Sequence, residues 1–310
     1  MNDTNTVRDY DVVVIGAGPA GLTAGMYTAR QGLSTVIVGG EVGGQAAWTS
    51  EIENYLGWRL VTGKELVQNF RDHVSQFDVE CLEGQLVNAI IPGDDGFEIF
   101  TREGESLKAR AIIIGTGRAP NRLAVPGEQE FVGRGGAYCA TCDAAFFKGR
   151  PVVVVGPGES AADAALELSA LGAFVTVINM TDLKVPDTLK QRMDEAENLE
   201  VRTGVKIVEI VGDERVSGVK VQARGSQEIE DIPAEGVFIE TGAIAASEFT
   251  GGLVEMDERG QIITAKDGAT NVPGIYAAGD VTDVAGKQII IAAGQGANAA
   301  IAVSRYLKRR

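Results

Sequence analysis

Short apolar runs alternate with glycine-rich turns and amphipathic segments along the whole chain. Residues 11–15 (DVVVI) are typical of a buried strand, residues 16–21 (GAGPAG) predict a turn, and residues 22–31 predict a helix that leads to a second strand at 34–38. A strand, a glycine turn and a helix within about 30 residues form the setting that a dinucleotide-binding loop requires. The pattern therefore predicts a Rossmann-type unit near the start of the chain.

The same unit recurs 140 residues further along the chain. Residues 151–155 predict a strand, 156–161 (GPGESA) a turn, 162–171 a helix and 174–178 a second strand. A single glycine turn often serves packing alone, but two in the correct strand–helix context favour nucleotide binding. We expect an α/β fold with two Rossmann-like, three-layer nucleotide-binding domains.

The remaining segments predict that the second domain is inserted into the first. An amphipathic helix at 63–77 and strands at 79–91, 97–101 and 111–115 precede the second unit. Strands at 201–211, 216–222, 236–240 and 274–280 and a closing helix at 289–307 follow it. We expect a discontinuous domain of residues 1–117 and 246–310, with residues 118–245 inserted.

The net charge of −15 argues against binding to nucleic acid or to an anionic membrane surface. The polar start of the chain and the short first apolar run predict neither a signal peptide nor a membrane helix. We therefore expect a cytoplasmic protein in a reducing compartment, where the three cysteines do not indicate a disulfide scaffold.

Cys139 and Cys142 have the C-x-x-C spacing that indicates either redox chemistry or metal binding. A closed zinc site needs about four ligands. Besides the pair itself, the sequence offers only Cys81 and His73 as soft ligands, so metal is the weaker interpretation and we expect none. Cys81 alone is more typical of a buried small hydrophobe, and His73 of a surface residue. Asp143 directly follows the pair, and by elimination it is the candidate for the acid–base role.

The first glycine loop predicts specific contacts with a dinucleotide. Gly16 allows the tight turn, Gly18 lets the backbone approach a pyrophosphate, and Gly21 allows the helix to pack closely on the strand. Glu41 follows Gly21 by 20 residues, the usual position of the acid that holds a ribose; a solvated loop carboxylate is the alternative. Asp280 ends a strand on the expected ligand side, and a capping residue for the last helix is its alternative.

Several motifs together resemble the low-molecular-weight thioredoxin reductases and the similar flavoprotein part of alkyl hydroperoxide reductase. They are GAGPAG at 16–21, GGQ at 43–45 with EN at 53–54, CATCD at 139–143, and AAGD at 277–280 followed by KQ at 287–288. Residues 287–291 and the stretch from 185 are more similar to the hydroperoxide-reductase branch. The N-terminal thioredoxin-like domain of that branch is not expected here.

The resemblance implies FAD bound by the discontinuous domain. The implied contacts are Gly16, Gly18, Gly21, Glu41, Gln45, Asn54, Asp280 and Gln288. It also implies a homodimer, a rotation between the domains, and a thioredoxin or thioredoxin-like partner. Cys142 would face the flavin as the charge-transfer thiol, Cys139 would attack the partner disulfide, and Asp143 would be the acid.

The second glycine loop departs from the family pattern around its nucleotide. Gly156, Gly158 and Ala161 keep the phosphate-loop spacing of a weak NAD(P)H site. The basic cluster that holds the NADPH 2′-phosphate in the family is replaced by INMTDLK at 178–184, with Asn179 at the strand end. The family's G-x-x-P-N-T motif reads GAIAAS at 242–247, and Glu159 adds a carboxylate beside the loop.

Four functions stay open from the sequence. The first is a thioredoxin-reductase-like disulfide reductase with an atypical electron donor such as ferredoxin. The second is an NADH- or NADPH-dependent reductase of a thioredoxin or peroxiredoxin system with unusual specificity residues. The third is an oxidase of small-molecule dithiols, and the fourth is a flavin-binding redox sensor without turnover, against which the acid beside the cysteine pair argues.

Overall fold

The computed structural model describes residues 8–49 and 51–310, so residues 1–7 and Ser50 of the predicted segment 1–117 lie outside the described residues. The described chain divides into two compact units. The first contains the described residues of Met1–Trp48 together with Tyr55–Ala119 and Ile244–Arg310. The second contains the described residues of Thr49–Asn54 together with Pro120–Ala243. Nothing in the sequence pattern separates Thr49–Asn54 from its neighbours.

The described chain consists of strands and helices, with short 3₁₀ turns between some of them. Up to the cysteine pair they are β1 (Arg8–Ile15), α1 (Pro19–Arg30), β2 (Thr35–Gly39), α2 (Gly63–Val74), β3 (Val79–Glu83), β4 (Val87–Pro92), β5 (Phe97–Thr101), β6 (Ser106–Ile114), β7 (Arg118–Pro120) and β8 (Gly136–Ala137). From the pair onward they are α3 (Ala140–Asp143), β9 (Pro151–Val155), α4 (Glu159–Ala170), β10 (Phe174–Asn179), α5 (Asp187–Asp194), β11 (Leu199–Thr203), β12 (Val205–Gly212), β13 (Val216–Ala223), β14 (Ile229–Pro233), β15 (Gly236–Ile239), β16 (Ala243–Ala245), β17 (Ile275–Ala277) and α6 (Ile289–Leu307).

The first unit is built on a seven-stranded sheet in the order β3-β2-β1-β6-β5-β4, with β17 also paired to β6. Strands β1, β2, β3, β6 and β17 run parallel, whereas β4 and β5 continue the sheet antiparallel. The central parallel strands are almost completely buried, which is typical of a sheet covered on both faces. The carboxyl ends of the parallel strands therefore meet at one edge, where the glycine loop at 16–21 lies.

Helices α1 and α6 pack closely on this sheet because their contacting residues are small. A Cβ atom on Gly296 would lie 2.1 Å from the carbonyl oxygen of Ala20, so only glycine permits this approach of α6 to α1. Ala20, Ala292, Ala299 and other apolar side chains of the two helices share one buried cluster with the sheet. The alanine-rich composition of the predicted closing helix is thus explained by helix packing.

The second unit contains a five-stranded parallel sheet in the order β11-β10-β9-β15-β8. A three-stranded antiparallel sheet, β12-β13-β14, accompanies it. Helix α4 covers the parallel sheet through Ala161, Ala165 and Leu168, which are fully buried. The predicted α/β class with two Rossmann-like domains is confirmed.

Several sequence expectations need correction in detail. The predicted strand at 79–91 is two strands, β3 and β4, which a turn at the positive-φ residue Gly84 separates. The predicted strand at 201–211 is likewise interrupted between β11 and β12, at Gly204, which also has a positive φ. Cys81 is exposed rather than buried, because β3 is an edge strand of its sheet. Within the described ranges, no helix has the length and apolarity needed to span a membrane.

Candidate functional site

A cavity of about 880 Å³ opens at the carboxyl edge of the parallel strands in the first unit. Its volume lies near the upper end of the range of roughly 300–1,000 Å³ that is common for ligand and cofactor sites. Among the predicted cofactor contacts, the lining includes Gly16, Gly18, Glu41, Gln45 and Asp280. Five residues from separate parts of the sequence are thereby placed around one space.

The glycine loop forms one wall of this cavity and adopts a conformation that needs glycine. Gly16 has φ +110°, and a Cβ atom there would lie 2.3 Å from the carbonyl oxygen of Gly115. Gly18 is the N-cap of α1 and has no side chain to cap the helix, and a Cβ atom on it would meet no atom of the described residues within 4 Å. The first turn of α1 contains no acidic residue. The uncapped start of α1 therefore suits an anionic group such as a pyrophosphate.

Glu41 and Gln45, two of the predicted cofactor contacts, come shortly after β2 and line the cavity. Glu41 is exposed, and its Oε2 atom accepts a hydrogen bond from Nε1 of Trp48 at 3.2 Å. Gln45 donates a hydrogen bond through Nε2 to the carbonyl oxygen of Arg118. The Trp48 indole thus holds the Glu41 carboxylate beside the cavity.

Asp280 lies in a short turn after β17 and has the electrostatic environment of a largely buried acid. Its Oδ2 atom lies 3.4 Å from Nε of Arg118. Burial raises the pKa of Asp280, whereas the positive charges of Arg118 and Lys287 oppose this shift. Lys287 also donates from Nζ to the carbonyl oxygens of Asp280 and Thr282, at 3.2 and 2.6 Å. The N-cap of helix α6 is Gln288, so Asp280 does not cap that helix.

The remaining predicted contacts occupy other positions. A Cβ atom on Gly21 would lie 1.7 Å from the carbonyl oxygen of Gly16, so glycine at this position allows the helix to approach the loop closely. Gln288 is partly buried at the start of α6. Asn54 is exposed and belongs to the second unit. Contacts of Gln288 and Asn54 with a flavin stay predictions.

Arg118 is a charged residue that the sequence patterns did not single out. It lines the cavity, pairs with Asp280 and accepts from Gln45 through its backbone. Its neighbour Thr116 donates to the carbonyl oxygen of Ala246 at 2.7 Å, which fixes the cavity wall. The glycine cradle, the uncapped helix start and the acid just after β2 together fit a dinucleotide such as FAD.

The redox pair lies in the second unit at the start of the short helix α3. Cys139 and Cys142 form a disulfide, and Cys139 is the N-cap of the helix. Both cysteines are partly buried, and the backbone amide of Cys142 donates to the carbonyl oxygen of Cys139 at 3.3 Å. The C-x-x-C spacing thus folds into one turn that brings the two sulfur atoms together, as the redox interpretation requires.

Asp143 ends the same helix and has an environment suited to proton transfer. Burial raises the pKa of Asp143 to about 7, and the negative charge of Glu51 adds to the shift. A carboxyl group with a pKa near neutrality exchanges a proton easily at the pH of most cells. His73, in contrast, is exposed on α2 in the other unit. Glu51, which no sequence pattern indicates, is brought near Asp143 by the fold.

The second glycine loop has the shape of a phosphate loop but different chemistry around it. Gly158 is an extended N-cap without a side-chain cap, and Ala161 is fully buried against the sheet. Asn179, at the end of β10, is buried and donates to the backbone and the hydroxyl of Thr181 at 2.7 and 3.1 Å. Glu159 is exposed in the first turn of α4. The amide that would meet a ribose is thus engaged within its own loop.

Glu240 is a residue near the second glycine loop that no sequence pattern indicates as part of the site. It directly follows β15, and its Oε1 atom accepts a hydrogen bond from the backbone amide of Ala140 at 3.2 Å. Its other oxygen accepts a hydrogen bond from the hydroxyl of Ser160, in the first turn of α4. Glu240 therefore joins the start of the redox helix to the start of the glycine-loop helix.

These features define a class of protein: two dinucleotide folds, a cofactor cavity in one and a redox-active cysteine pair in the other. The chain belongs to the pyridine nucleotide-disulphide oxidoreductase family, which its residues 10–296 match. Within that family it is a flavin disulfide oxidoreductase similar to thioredoxin reductases, with Cys139–Cys142 as its cysteine pair. The family resemblance inferred from the sequence motifs is confirmed.

Relatives of two kinds match almost the whole chain. The F component of alkyl hydroperoxide reductase from Staphylococcus epidermidis is 35% identical over 309 residues, which cover 99% of this chain and 61% of that protein. Its counterpart in Pseudomonas putida is 38% identical, covering 98% of this chain and 59% of that protein. The chain thus spans about 60% of the length of these curated relatives. The crystal structure of thioredoxin reductase from Streptococcus pyogenes superposes with a TM-score of 0.93 at 34% identity, covering 98% of this chain and 100% of that one.

Proposed function

We propose that this protein reduces a disulfide in a thioredoxin-like partner and that its electron donor is not a nicotinamide dinucleotide. The proposal of disulfide reduction rests on the Cys139–Cys142 pair, which has Asp143 on the same helical turn. FAD, when bound in the cavity of the first unit, would supply the two electrons. The contacts proposed for it are Gly16, Gly18, Glu41 and Asp280, along with Gly21, Gln45, Asn54 and Gln288.

The cysteines transfer these electrons by thiol–disulfide exchange. Two electrons and two protons convert the Cys139–Cys142 disulfide into two thiols. The Cys139 thiolate attacks one sulfur of the partner disulfide, forms a mixed disulfide and releases the other partner sulfur as a thiolate. Cys142 then attacks Cys139, which re-forms the intramolecular disulfide and releases the partner as a dithiol. The partner gains the two electrons that the pair had received.

Asp143 handles the protons of this exchange. Its carboxyl group directly follows Cys142 and has a pKa raised to about 7 by burial and by Glu51. A protonated Asp143 gives its proton to a leaving thiolate, and the resulting carboxylate accepts one from a thiol that must become nucleophilic. A single group with a pKa near neutrality serves both directions.

The chemistry around the second glycine loop supports the proposal of an unusual donor. Residues 178–184 contain one cation, Lys184, where a 2′-phosphate needs several. Asn179 donates its amide protons to Thr181. A one-electron carrier such as ferredoxin needs no nucleotide fold, so it is the donor that we propose.

An NADH- or NADPH-linked reductase is the second candidate, because Gly158 and Ala161 keep the backbone of a phosphate loop. Anaerobic stopped-flow mixing of the FAD-loaded protein separates the two. We expect the visible flavin absorption to persist with NADH or NADPH and to bleach with reduced ferredoxin. Rapid bleaching by either nicotinamide refutes the proposed donor. Peroxide release with a small dithiol, without reduction of thioredoxin, would instead indicate the dithiol oxidase.

The order of the two cysteines is tested by trapping the partner. Cys142→Ser removes the resolving thiol, so the Cys139 mixed disulfide with thioredoxin should accumulate and be visible on a non-reducing gel. Cys139→Ser is the matched control and should trap nothing. Trapping by Cys139→Ser alone would reverse the assigned order. The proposed homodimer is checked separately by light scattering of the same preparations.

A further inference from the structure

Both units contain the same contact between the glycine loop and a neighbouring strand. The residue before the first glycine of each loop pairs with the last residue of the neighbouring strand. These pairs are Ile15 with Ile114 in one unit and Val155 with Ile239 in the other. A Cβ atom on Gly16 would lie 2.3 Å from the carbonyl oxygen of Gly115. For Gly156, the corresponding distance to the carbonyl oxygen of Glu240 is 2.2 Å. Gly115 and Glu240 therefore hold equivalent places in the two folds.

The side chains at these equivalent places differ completely. Gly115 has none, and it lines the open cavity of the first unit. Glu240 places a carboxylate beside the second loop, held by the hydroxyl of Ser160 and the amide of Ala140. Because two donors on two helices hold it, this carboxylate has a defined position at the start of α4.

The second loop is also more acidic than the first. The first turn of α1 contains no acidic residue, whereas the first turn of α4 contains Glu159. Together with Glu240, the second loop therefore has two carboxylates at positions where the first loop has none. A pyrophosphate is itself an anion, so these carboxylates repel it at the helix end that would otherwise attract it. The Ser160 hydroxyl, which could otherwise donate to a phosphate, already donates to Glu240.

We infer that Glu240 excludes pyridine dinucleotides from the second nucleotide fold and thereby sets the donor specificity of the protein. This inference rests on the proposed function and names the residue responsible for its unusual donor. Glu159 adds to the exclusion through its charge, but it is exposed. The side chain of Glu240 is held in place by its hydrogen bonds. The equivalent residue of the first fold, Gly115, has no side chain and leaves the corresponding space open.

Direct binding of NADH and NADPH to the FAD-loaded protein, measured by isothermal titration calorimetry, tests this inference. Glu240→Gln removes the charge and keeps an oxygen that can accept from Ala140. Glu240→Gly reproduces the residue of the first fold. We expect each variant to bind at least one dinucleotide about tenfold or more tightly than the wild type, with Glu240→Gly giving the larger gain. Glu235→Gln is the matched control, because it removes one exposed carboxylate of the same unit, paired with Arg150, and should change nothing.

The outcomes separate this inference from the proposed function. Flavin content and thermal melting first establish that each variant is folded. If folded Glu240→Gln and Glu240→Gly both bind dinucleotides no better than the wild type, while the wild-type flavin still resists NADH and NADPH, only the role of Glu240 is refuted. If the wild type itself binds and is reduced by a dinucleotide, the proposed donor is refuted as well. An equal gain in Glu235→Gln would show a general charge effect and overturn the assignment to Glu240.

Discussion

Glu51 and Asp143 are two carboxylates of the second unit, and the charge of Glu51 adds to burial in raising the pKa of Asp143 to about 7. Asp143 ends the helix that begins after Cys139, so the group with the shifted pKa directly follows the redox pair. Near neutral pH it is present both as an acid and as a carboxylate. Perturbed carboxyl groups of this kind are common at catalytic sites, and this relationship leads to three measurable consequences.

The first consequence concerns the Asp143→Asn variant. An amide cannot give up a proton, so we expect the rate of disulfide reduction below pH 7 to fall by about 10²–10⁴-fold. In the wild type, the rate of the acid-dependent step should decline as the pH rises through about 7, where Asp143 loses its proton. Single-turnover pH profiles with thioredoxin measure both effects. Asp163→Asn, an exposed acid on α4, should match the wild type; an unchanged profile in Asp143→Asn would contradict the acid role.

The second consequence concerns the neighbour that supplies charge. Glu51→Gln removes the repulsion that disfavours the Asp143 carboxylate, so the pKa of Asp143 should fall. Because burial is the larger cause, part of the shift should remain. The declining limb of the single-turnover profile should therefore move to lower pH without disappearing. A limb that stays in place would show that Glu51 does not act on Asp143.

The third consequence is a dependence of stability on pH. The folded-state pKa of Asp143 lies above its ordinary value of 3.8, so the folded protein binds more protons than the unfolded chain between about pH 4 and pH 7. Stability contributed by this group is present below that window and is lost as the pH rises through it. Asp143→Asn should be more stable than the wild type at about pH 8, on the order of 2 kcal/mol after allowance for partial exposure, and nearly equal at about pH 4. Urea unfolding at both pH values measures the difference, and a constant difference would count against the shifted pKa.

The sequence was sufficient for the parts of this site that depend on local order. The strand, glycine loop and helix are encoded within about 30 residues, which explains why the loop that contains Gly16 and Gly18 lines the cavity. Glu41 follows from its spacing and Asp280 from its place at the end of a strand.

Features that depend on which strands become neighbours could not be predicted in this way. Arg118 reaches Asp280 only through the fold, and Glu240 is recognised as the counterpart of Gly115 only when the strand register is known. The exposure of Cys81 likewise depends on β3 lying at the edge of the sheet. Sequence separation, rather than weak local patterns, limits the prediction in each of these cases.

Glu41 provides a test of the proposed FAD site. Glu41→Ala removes the carboxylate expected to hold ribose hydroxyls, and hydrogen bonds to a charged group contribute about 1.5–3 kcal/mol. We therefore expect FAD affinity to fall by about 10–100-fold, measured by titrating the apoprotein with FAD. Trp48→Phe removes the indole donor but leaves the carboxylate, so its effect should be smaller. Glu98→Ala, at an exposed ion pair with Lys108, is the control; equal affinities in all four proteins would exclude Glu41 as a contact.

The two glycines of the first loop should respond differently to the same added methyl group. At Gly16, a Cβ atom would lie 2.3 Å from a backbone oxygen, and φ is +110°, so Gly16→Ala should destabilise the fold itself. At Gly18, φ is −78° and a Cβ atom would meet no atom within 4 Å in the described part of the chain, so Gly18→Ala should fold normally. Its methyl group would instead point into the space needed by a pyrophosphate, which weakens FAD binding. Thermal melting of the apoproteins and FAD titration separate the two effects: Gly18→Ala with normal stability and normal FAD affinity would show that the loop does not contact the cofactor.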